Sequence, residues 1–329
     1  MTQLLAGDIG GTKTLLRLND WSQGGVTTLY EATYASAEFA HLNQMVVRFL
    51  QEASAPPPAV ACFAIAGPVH NDGSRVTNLS WQLDARQMEA DLGIAKIRLI
   101  NDFAAVGYGI LALQPEDVVV LQDQPAIPQD PIAILGAGTG LGEALLVWQT
   151  GGYSVLATEG GHADFAARTD IEIGLLSFLK SRHGRVSVER VVSGQGIYAI
   201  YEYLRTTDMA PASADVEAEF SQGNPSAIIS KHALAQTDTL CSLALDLFVR
   251  AYGAEAGNWA LKTLPYGGLY IAGGVGAKIL PKLQGGTFLN AFLDKGRMRS
   301  VLATIRVSLI VNPKVGLMGA AYYAGTLLA

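Results

Sequence analysis

The sequence has few cysteines, little charge and no long uninterrupted apolar run. Its two cysteines, Cys62 and Cys241, lie in apolar segments, which excludes a disulfide framework and a cysteine-rich zinc site and indicates buried thiols in a reducing compartment. Charged residues make up 16% of the chain and the net charge is −6, which argues against nucleic-acid binding through a basic surface. No apolar run reaches the ~18 residues of a membrane span. Residues 1–3 lack the basic region of a secretory signal, so we expect a cytoplasmic protein.

Hydrophobic residues and glycine are abundant instead. Half of the 329 residues are hydrophobic, which is enough for two domains with large buried cores. The 36 glycines cluster in turns rather than in low-complexity tracts. The composition therefore predicts an ordinary globular chain with several functional or tight turns.

Two of these turns have the same pattern: an apolar strand, a glycine- and threonine-rich turn, and a second apolar strand. We call residues 7–13 the first glycine turn and residues 136–142 the second glycine turn. Glycine allows backbone N–H groups to approach an anion without obstruction by a side chain. The pair suggests a duplicated framework that binds a polyphosphate from both sides. Two ordinary β-hairpins are the alternative.

Neither turn matches the two best-known phosphate loops. The P-loop requires glycine at the sixth position from Gly7, where the chain has Thr12. The dinucleotide fingerprint requires glycine where the chain has Leu141. Both loops also require a following helix, whereas residues 14–18 and 144–148 favour strands.

The rest of the chain alternates strand and helix patterns. We place a domain boundary in the segment 114–131, which is rich in proline, glutamine and aspartate. Buried strands are expected at 59–66, 97–100, 269–272 and 305–311. Helices are expected at 38–53, 84–92, 103–113, 171–183, 188–204, 225–236, 239–264 and 316–328, and the last could pack back on the first domain.

Candidate catalytic groups flank the first glycine turn. Asp8 lies where a strand enters the turn, so it could orient Mg²⁺ through water, or it could simply cap its own turn. Thr12 and Lys13 could supply a hydroxyl and a cation to phosphates, although Lys13 could equally be a solvated turn residue.

Asn101 and Asp102 end a predicted buried strand, where open α/β sheets bind ligands. Asp102 could be the N-cap of the next helix, a base, or both, because a carboxylate near a helix N-terminus stays ionised.

A third motif, Glu159-Gly160-Gly161-His162, allows Glu159 and His162 to converge on a sugar, with a metal site as the alternative. Glu189 alone reads as a solvated glutamate in the first turn of a helix. Gly273 and Gly274 follow a strand and could let an adenine or ribose lie against backbone, although such turns often require glycine for packing.

Taken in order, these motifs resemble the bacterial glucokinases, the hexokinase branch of the actin-like ATPase superfamily. The resemblance rests on five segments and runs from residue 3 to near the C-terminus: 7–12, 100–103, 135–142, 159–162 and 271–274. It implies an α/β, two-domain actin-like ATPase fold (a duplicated ribonuclease H-like fold) with a cleft between the domains. The small domain would hold residues 1–111 plus 313–329, and the large domain residues 112–312.

The resemblance also implies a reaction, in which ATP phosphorylates D-glucose to glucose 6-phosphate. Asp102 would be the base on the sugar 6-hydroxyl, and Asn101, Glu159, His162 and Glu189 would hold the other hydroxyls. Asp8 would position Mg²⁺ through water, and a homodimer is expected. The residues implied in ATP binding are Gly7, Asp8, Gly10, Gly11, Thr12, Lys13, Gly138, Thr139, Gly140, Gly273 and Gly274.

Three alternatives remain open at this point. The chain could be a kinase for fructose, mannose or an N-acetylhexosamine, a sugar-binding regulator without catalysis, or an actin-like ATPase that needs no sugar. The glycine turns also leave ADP or polyphosphate open as the phosphoryl donor.

Overall fold

The computed structural model describes residues 2–22, 25–76 and 79–328. The chain divides into two compact units: Met1–Asp117 with Asn312–Ala329, and Val118–Val311. We call these the first unit and the second unit. The domain boundaries expected above, at 111/112 and 312/313, stay a prediction.

The first unit is built on a five-stranded sheet. Its elements before residue 117 are β1 (Thr2–Ile9), β2 (Lys13–Ser22), β3 (Gly25–Ala35), α1 (Leu42–Glu52), β4 (Val60–Ile65), β5 (Val69–His70), β6 (Gly73–Arg75), β7 (Gln82–Asp84), α2 (Ala85–Leu92), β8 (Lys96–Asn101) and α3 (Asp102–Ile110). The sheet order is β3-β2-β1-β4-β8, while β5, β6 and β7 form a small separate sheet. β1 pairs antiparallel with β2 and parallel with β4. The strands β1, β4 and β8 are parallel, and the chain passes through a helix before β4 and before β8, as parallel strands require long connections.

The second unit repeats this plan. Its elements are β9 (Val118–Gln122), β10 (Ile132–Ala137), β11 (Leu141–Gln149), β12 (Gly152–Thr158), α4 (Asp170–His183), α5 (Gly194–Thr206), α6 (Ala214–Glu219), α7 (Pro225–Leu234), α8 (Thr239–Thr263), β13 (Gly268–Ala272), α9 (Gly274–Lys278), α10 (Leu280–Gln284), α11 (Thr287–Leu293), α12 (Arg299–Leu302) and β14 (Val307–Ile310). The sheet order is β12-β11-β10-β13-β14-β9. The five neighbouring strands β12-β11-β10-β13-β14 have the same order and the same relative directions as β3-β2-β1-β4-β8 of the first unit. This repetition is the duplication that the two glycine turns suggested.

The last helix, α13 (Val315–Thr326), belongs to the first unit and packs on β1, β4 and α3. It covers one face of the sheet, where Leu4, Ala6 and Cys62 meet Leu317 and Ala320 in a buried cluster. The opposite face of the sheet packs against α1 and α2. Every residue of β4 is buried, as expected for a strand covered on both faces.

Most of the expected elements are confirmed with small shifts of their ends. The strands after both glycine turns are present as β2 and β11, and the predicted helix 239–264 is α8. Both cysteines are buried. None of the described helices is long and apolar enough to cross a membrane.

The predicted continuous helix 188–204 is wrong. The chain forms a 3₁₀ turn at Val188–Arg190 and starts α5 only at Gly194. The Ser193 hydroxyl caps α5 by accepting from the Gly196 N–H, and Gly194 N–H donates to the Gly138 carbonyl rather than to a helical partner. Two glycines and a capping serine therefore begin a new helix. β3, β5, β6, β7, β9 and β12 were not predicted, and β9 lies inside the segment 114–131 where the composition indicated a domain boundary.

Candidate active site

The first glycine turn is held in place by a hydrogen bond within the turn and by two from Ser36, the residue after β3. Gly10 N–H donates to the Lys13 carbonyl at 3.0 Å, and the Ser36 hydroxyl donates to the Gly10 carbonyl at 2.8 Å. Ser36 N–H donates to the Thr12 carbonyl at 3.0 Å. The side chains of Thr12 and Lys13 are exposed. The turn is thus rigid at its base and open at its tip.

Gly7 has a packing role. It is buried within β1, and a Cβ there would lie 2.6 Å from a Phe63 ring carbon and 2.9 Å from a Leu16 methyl. Neither neighbour belongs to a ligand-facing surface, so this glycine serves the fit of β1 in the sheet. Its expected place among the ATP-binding residues stays a prediction, with this geometry against direct contact.

Asp8 and Asp102 lie close enough in the first unit for their charges to interact. Burial of Asp8 is the main cause that raises the pKa of its carboxyl, and the Asp102 charge adds to it, while Lys13 acts in the opposite direction. Two neighbouring carboxylates, with Lys13 acting in the opposite direction on Asp8, suit the binding of a cation.

The helix cap at this position is Asn101, not Asp102. Asn101 Oδ1 accepts from the N–H groups of Phe103 and Ala104 at 2.9 and 3.1 Å, and its Nδ2 donates to the Gly67 carbonyl at 3.2 Å. Asp102 is the first residue of α3, and its Oδ1 accepts from Phe103 N–H at 2.8 Å. Because Asn101 supplies the cap, the Asp102 carboxylate is oriented by one backbone N–H without being required as the N-cap.

The second glycine turn contacts Glu189 directly. Gly138 N–H donates to the Gly140 carbonyl at 2.8 Å, and Leu141 N–H donates to Glu189 Oε2 at 2.9 Å. A Cβ on Gly140 would overlap the Glu189 carboxylate. Glu189 therefore is not a solvated helical glutamate: it lies in a 3₁₀ turn with its carboxylate against the glycine turn.

The glycines of the second unit fall into two kinds. Gly140 and Gly273 are required by the protein itself, since a Cβ on Gly273 would overlap the Ala137 backbone and its φ is +84°. Gly138 and Gly274 have no atom within 4 Å of the Cβ position, although they are also glycine. These two glycines therefore border open space.

That space is a cavity of about 1000 Å³ within the second unit. Its walls include Gly138, Thr139 and Gly274 from the predicted set. Sequence reasoning missed the other polar residues that line it: Arg182, His183, Arg190, Gln195, Tyr198, Glu202, Asn224, Ser226, Ser230, Lys231 and Lys278. Arg182 and Lys231 are paired with Glu202 and Glu219, whereas Arg190 and Lys278 have no ion pair within the described residues.

Two of the missed residues carried a sequence signal. Lys278 comes shortly after Gly273 and Gly274, and Arg190 follows Glu189, so a search for cations next to the motifs would have found both. Asn224 and Ser226 line the cavity because the start of α7, whose N-cap is Asn224, lies at its wall. No local sequence pattern indicates that the start of this helix lies there.

Glu159 and His162 extend from a 3₁₀ turn into solvent. Their side chains are 82% and 59% exposed, with Oε2 and Nε2 3.9 Å apart. This turn is joined to the 3₁₀ turn that contains Glu189, because Val188 N–H donates to the Ala163 carbonyl at 2.9 Å. The structure thus brings Glu159, His162 and Glu189 into one part of the second unit, and Asp8, Asn101 and Asp102 into one part of the first.

Two units with the same strand order, each with a glycine-rich hairpin, define the class of protein as an enzyme of the actin-like ATPase fold. Comparison with known proteins identifies the family. The glucokinase family model matches residues 5–327. A glucokinase of Nostoc punctiforme is 52% identical, with 99% of this chain and 100% of the relative covered.

Solved structures agree with this result. A glucokinase from an Antarctic psychrotroph is 30% identical and has a TM-score of 0.88 over 99% of both chains. A glucokinase of the ROK family from Streptomyces griseus, solved with glucose and AMPPNP, shares the fold at 20% identity, with a TM-score of 0.65 over 98% of this chain and 99% of that one. The chain therefore belongs to the glucokinase family, and it is an enzyme that phosphorylates glucose.

Proposed function

We propose that the chain transfers the terminal phosphoryl group of ATP to the 6-hydroxyl of D-glucose, with Asp102 as the base. The observation that carries this assignment is an oriented carboxylate at the carboxyl end of β8, beside Asp8, in a chain of the glucokinase family. The hydroxyl oxygen forms a bond to phosphorus, the bond to the bridging oxygen of ADP breaks, and Asp102 takes the hydroxyl proton.

The local structure suits Asp102 to this role. The Phe103 N–H fixes one carboxylate oxygen, and the N-terminus of α3 favours the ionised form that a base requires. Asn101 keeps the helix start in place. The catalytic group therefore sits on a rigid element rather than on a loop.

The remaining sugar hydroxyls are assigned to Asn101, Glu159, His162 and Glu189. Asn101 Oδ1 is used by the helix cap, so its amide N–H group is the part that would donate to a hydroxyl. Glu189 Oε2 is used by Leu141 N–H, so Oε1 would accept. Glu159 and His162 are exposed and free to reorient around a sugar.

The phosphates and nucleoside of ATP are assigned to the glycine turns and to the cavity beside Gly138, Thr139 and Gly274. The unpaired cations Arg190 and Lys278 suit the charge of a polyphosphate. ATP as donor is also supported by the Streptomyces griseus relative, whose structure contains AMPPNP.

Magnesium fits the residues of the first unit. Asp8 would hold the ion, largely through water, as Mg²⁺ keeps most of its hydration shell. Among the described residues no three histidine, cysteine or acidic side chains come together, so phosphate oxygens and water would complete the coordination. When bound, the ion neutralises phosphate charge during transfer.

Assembly and location complete the proposal: a homodimer in the cytoplasm. Light scattering after size-exclusion chromatography measures the mass directly. A mass near 34.7 kDa would contradict the dimer.

The activity is tested by measuring ADP release on a panel of sugars and donors. We expect glucose with ATP to have the highest kcat/KM, and fructose, mannose and N-acetylglucosamine to be poor substrates. A higher kcat/KM for another hexose would replace glucose in the assignment, and ADP release that is independent of sugar would contradict a sugar kinase. Polyphosphate and ADP as donors test the nucleotide assignment separately.

The variant Gly274→Leu tests whether the cavity beside Gly274 binds the nucleotide. Because the Cβ position is open and φ is not positive, Gly274→Leu should fold normally and fill ligand space. We expect the KM for ATP to rise at least ~10-fold, which corresponds to about 1.4 kcal/mol of lost binding, with the KM for glucose unchanged. Gly152→Leu is the matched control, since it is also open and lies away from the cavity. Equal ATP kinetics in both variants would move the nucleotide elsewhere.

A further inference from the structure

The turn Glu159–His162, to which we assign sugar binding, lies directly on strand β11. A Cβ on Gly161 would overlap the Leu141 carbonyl, and a Cβ on Gly160 would overlap the Glu143 carboxyl group and approach Thr158 Oγ1 to 3.2 Å. The two glycines are therefore needed for close approach to β11. The side chain directly beneath Gly160 is Glu143.

Thr158 joins the same contact. Its hydroxyl donates to the Glu143 carbonyl at 3.0 Å and accepts from Gly160 N–H at 3.1 Å. Glu143 and Thr158 face each other in the register of β11 and β12. The backbone of Glu143 and its carboxyl group thus both support Gly160, and a shift of this side chain must move the turn.

Glu143 is an unusual neighbour for an exposed turn because its own carboxyl group is buried. The residue is 1% exposed, and within the part of the chain described here Oε1 has no hydrogen-bond partner. A second buried carboxyl, Glu255 of α8, is near enough to act on its charge. An ionised carboxylate left unpaired in such a place is strongly disfavoured.

The surrounding charges do not compensate for two carboxylates. Lys262 of α8 is exposed and acts on both glutamates. Lys295 acts on Glu255, but its Nζ donates to Asn258 Oδ1 at 2.6 Å and to the Ala254 carbonyl at 2.9 Å. Asn258 Nδ2 in turn donates to Glu255 Oε2 at 2.9 Å. Within the described residues, Glu255 therefore has a hydrogen-bond partner in Asn258, whereas Glu143 Oε1 has none and feels only the exposed Lys262 as an opposing charge.

We propose that Glu143 is a positioning residue for the sugar-binding turn: its neutral carboxyl supports Gly160, and its ionisation shifts the turn and weakens sugar binding. The proposal rests on the assignment of Glu159 and His162 to the sugar. Glu143 acts through Gly160 and touches neither the sugar nor the reacting atoms.

The sign of the effect follows from the proton affinity of Glu143. Burial, followed by the charge of Glu255, raises the pKa of Glu143 to about 7, from an ordinary value of 4.5. A raised carboxyl pKa favours the native arrangement at low pH, and this contribution declines as pH rises from about 4.5 through 7. Sugar binding should therefore weaken as pH rises through neutrality.

The test compares glucose kinetics from pH 5.5 to 8.5 for the wild type and Glu143→Gln. We expect the wild-type KM for glucose to rise about tenfold, which is the effect of one pKa unit, while kcat at saturating glucose changes less. Glu143→Gln keeps the shape but cannot ionise, so its KM should stay near the low-pH wild-type value throughout. An unchanged pH dependence in this variant, or a KM raised at every pH, would contradict the proposal.

Calorimetry on the wild type gives a second test that needs no variant. If glucose binds best when Glu143 is protonated, binding at pH 7.5 must take up protons, measured from the dependence of the binding enthalpy on buffer ionisation. Uptake of roughly half a proton, as expected when binding raises a pKa of about 7 by one unit, supports the proposal if it is absent in Glu143→Gln. Glucose binding without proton uptake overturns the positioning role alone, whereas no glucose binding at all overturns it together with the proposed function.

Discussion

Asp102→Asn should lower kcat by ~10²–10⁴-fold, the usual contribution of a general base, while glucose still binds. Asparagine has the same shape, and its Oδ1 can still accept from Phe103 N–H, so the start of α3 should be preserved. What is lost is the capacity to take the proton of the attacking hydroxyl. Coupled ADP-release kinetics and glucose calorimetry measure the two effects independently.

A matched control separates the base from a general charge effect. Asp72 also lies in the first unit, has a φ of +58° that asparagine tolerates well, and is 4.0 Å from Arg98 in a weak ion pair. Asp72→Asn should retain near-normal kcat. If Asp102→Asn also turns over normally, Asp102 is not the base. If both variants lose activity with falling stability, the loss reports folding rather than chemistry.

The parts of this site that the sequence predicted depend on local pattern. The two hairpins follow from apolar segments around glycine turns, and the position of Asp102 follows from a buried strand before a helix. These signals are contained in ten to fifteen consecutive residues, so they require no knowledge of tertiary packing.

The features that it missed depend on contacts between distant segments. One such feature is the packing reason for glycine at positions 7 and 273, where Phe63 or the Ala137 backbone occupies the Cβ position, while the place of both glycines in ATP binding stays a prediction. Asn101 and Asp102 are equally good N-caps by type, and only the fold decides that Asn101 takes the role. In the sequence, Glu143 is one polar residue in an apolar strand, and no nearby residue indicates that Glu255 lies close to it in the fold.

Packing of α13 on α3 links the stability of the first unit to the position of Asp102, the proposed base. Gly319 of α13 and Gly109 of α3 allow the two helices to approach until backbone meets backbone. A Cβ on Gly319 would overlap the Ala105 carbonyl and lie 2.5 Å from Gly109 N, and a Cβ on Gly109 would overlap the Val315 carbonyl. Since α3 begins at Asp102, any displacement of this helix also displaces the proposed base.

Gly319→Ala should therefore destabilise the protein strongly and also lower kcat. Backbone atoms cannot rotate away as side chains do, so we expect a loss at the upper end of overpacking effects, about 3 kcal/mol or more. For a unit of this size that loss lowers the melting temperature by roughly 6–12 °C. Thermal and denaturant unfolding measure it, and activity well below the melting temperature measures the displacement of Asp102.

Gly316→Ala is the control because the same substitution in the same helix would meet no overlap. Its Cβ would lie 3.6 Å from Asp8 Oδ2 and 4.0 Å from a Val106 methyl, which are ordinary contacts. Alanine also favours helix over glycine by up to ~1 kcal/mol, so this variant should match or exceed the wild-type stability. If Gly319→Ala and Gly316→Ala have the same melting temperature, α3 and α13 can move apart without loss of stability, and their contact does not fix the position of Asp102. A large difference between two substitutions three residues apart would show that close backbone contact, rather than helix propensity, holds the catalytic helix in place.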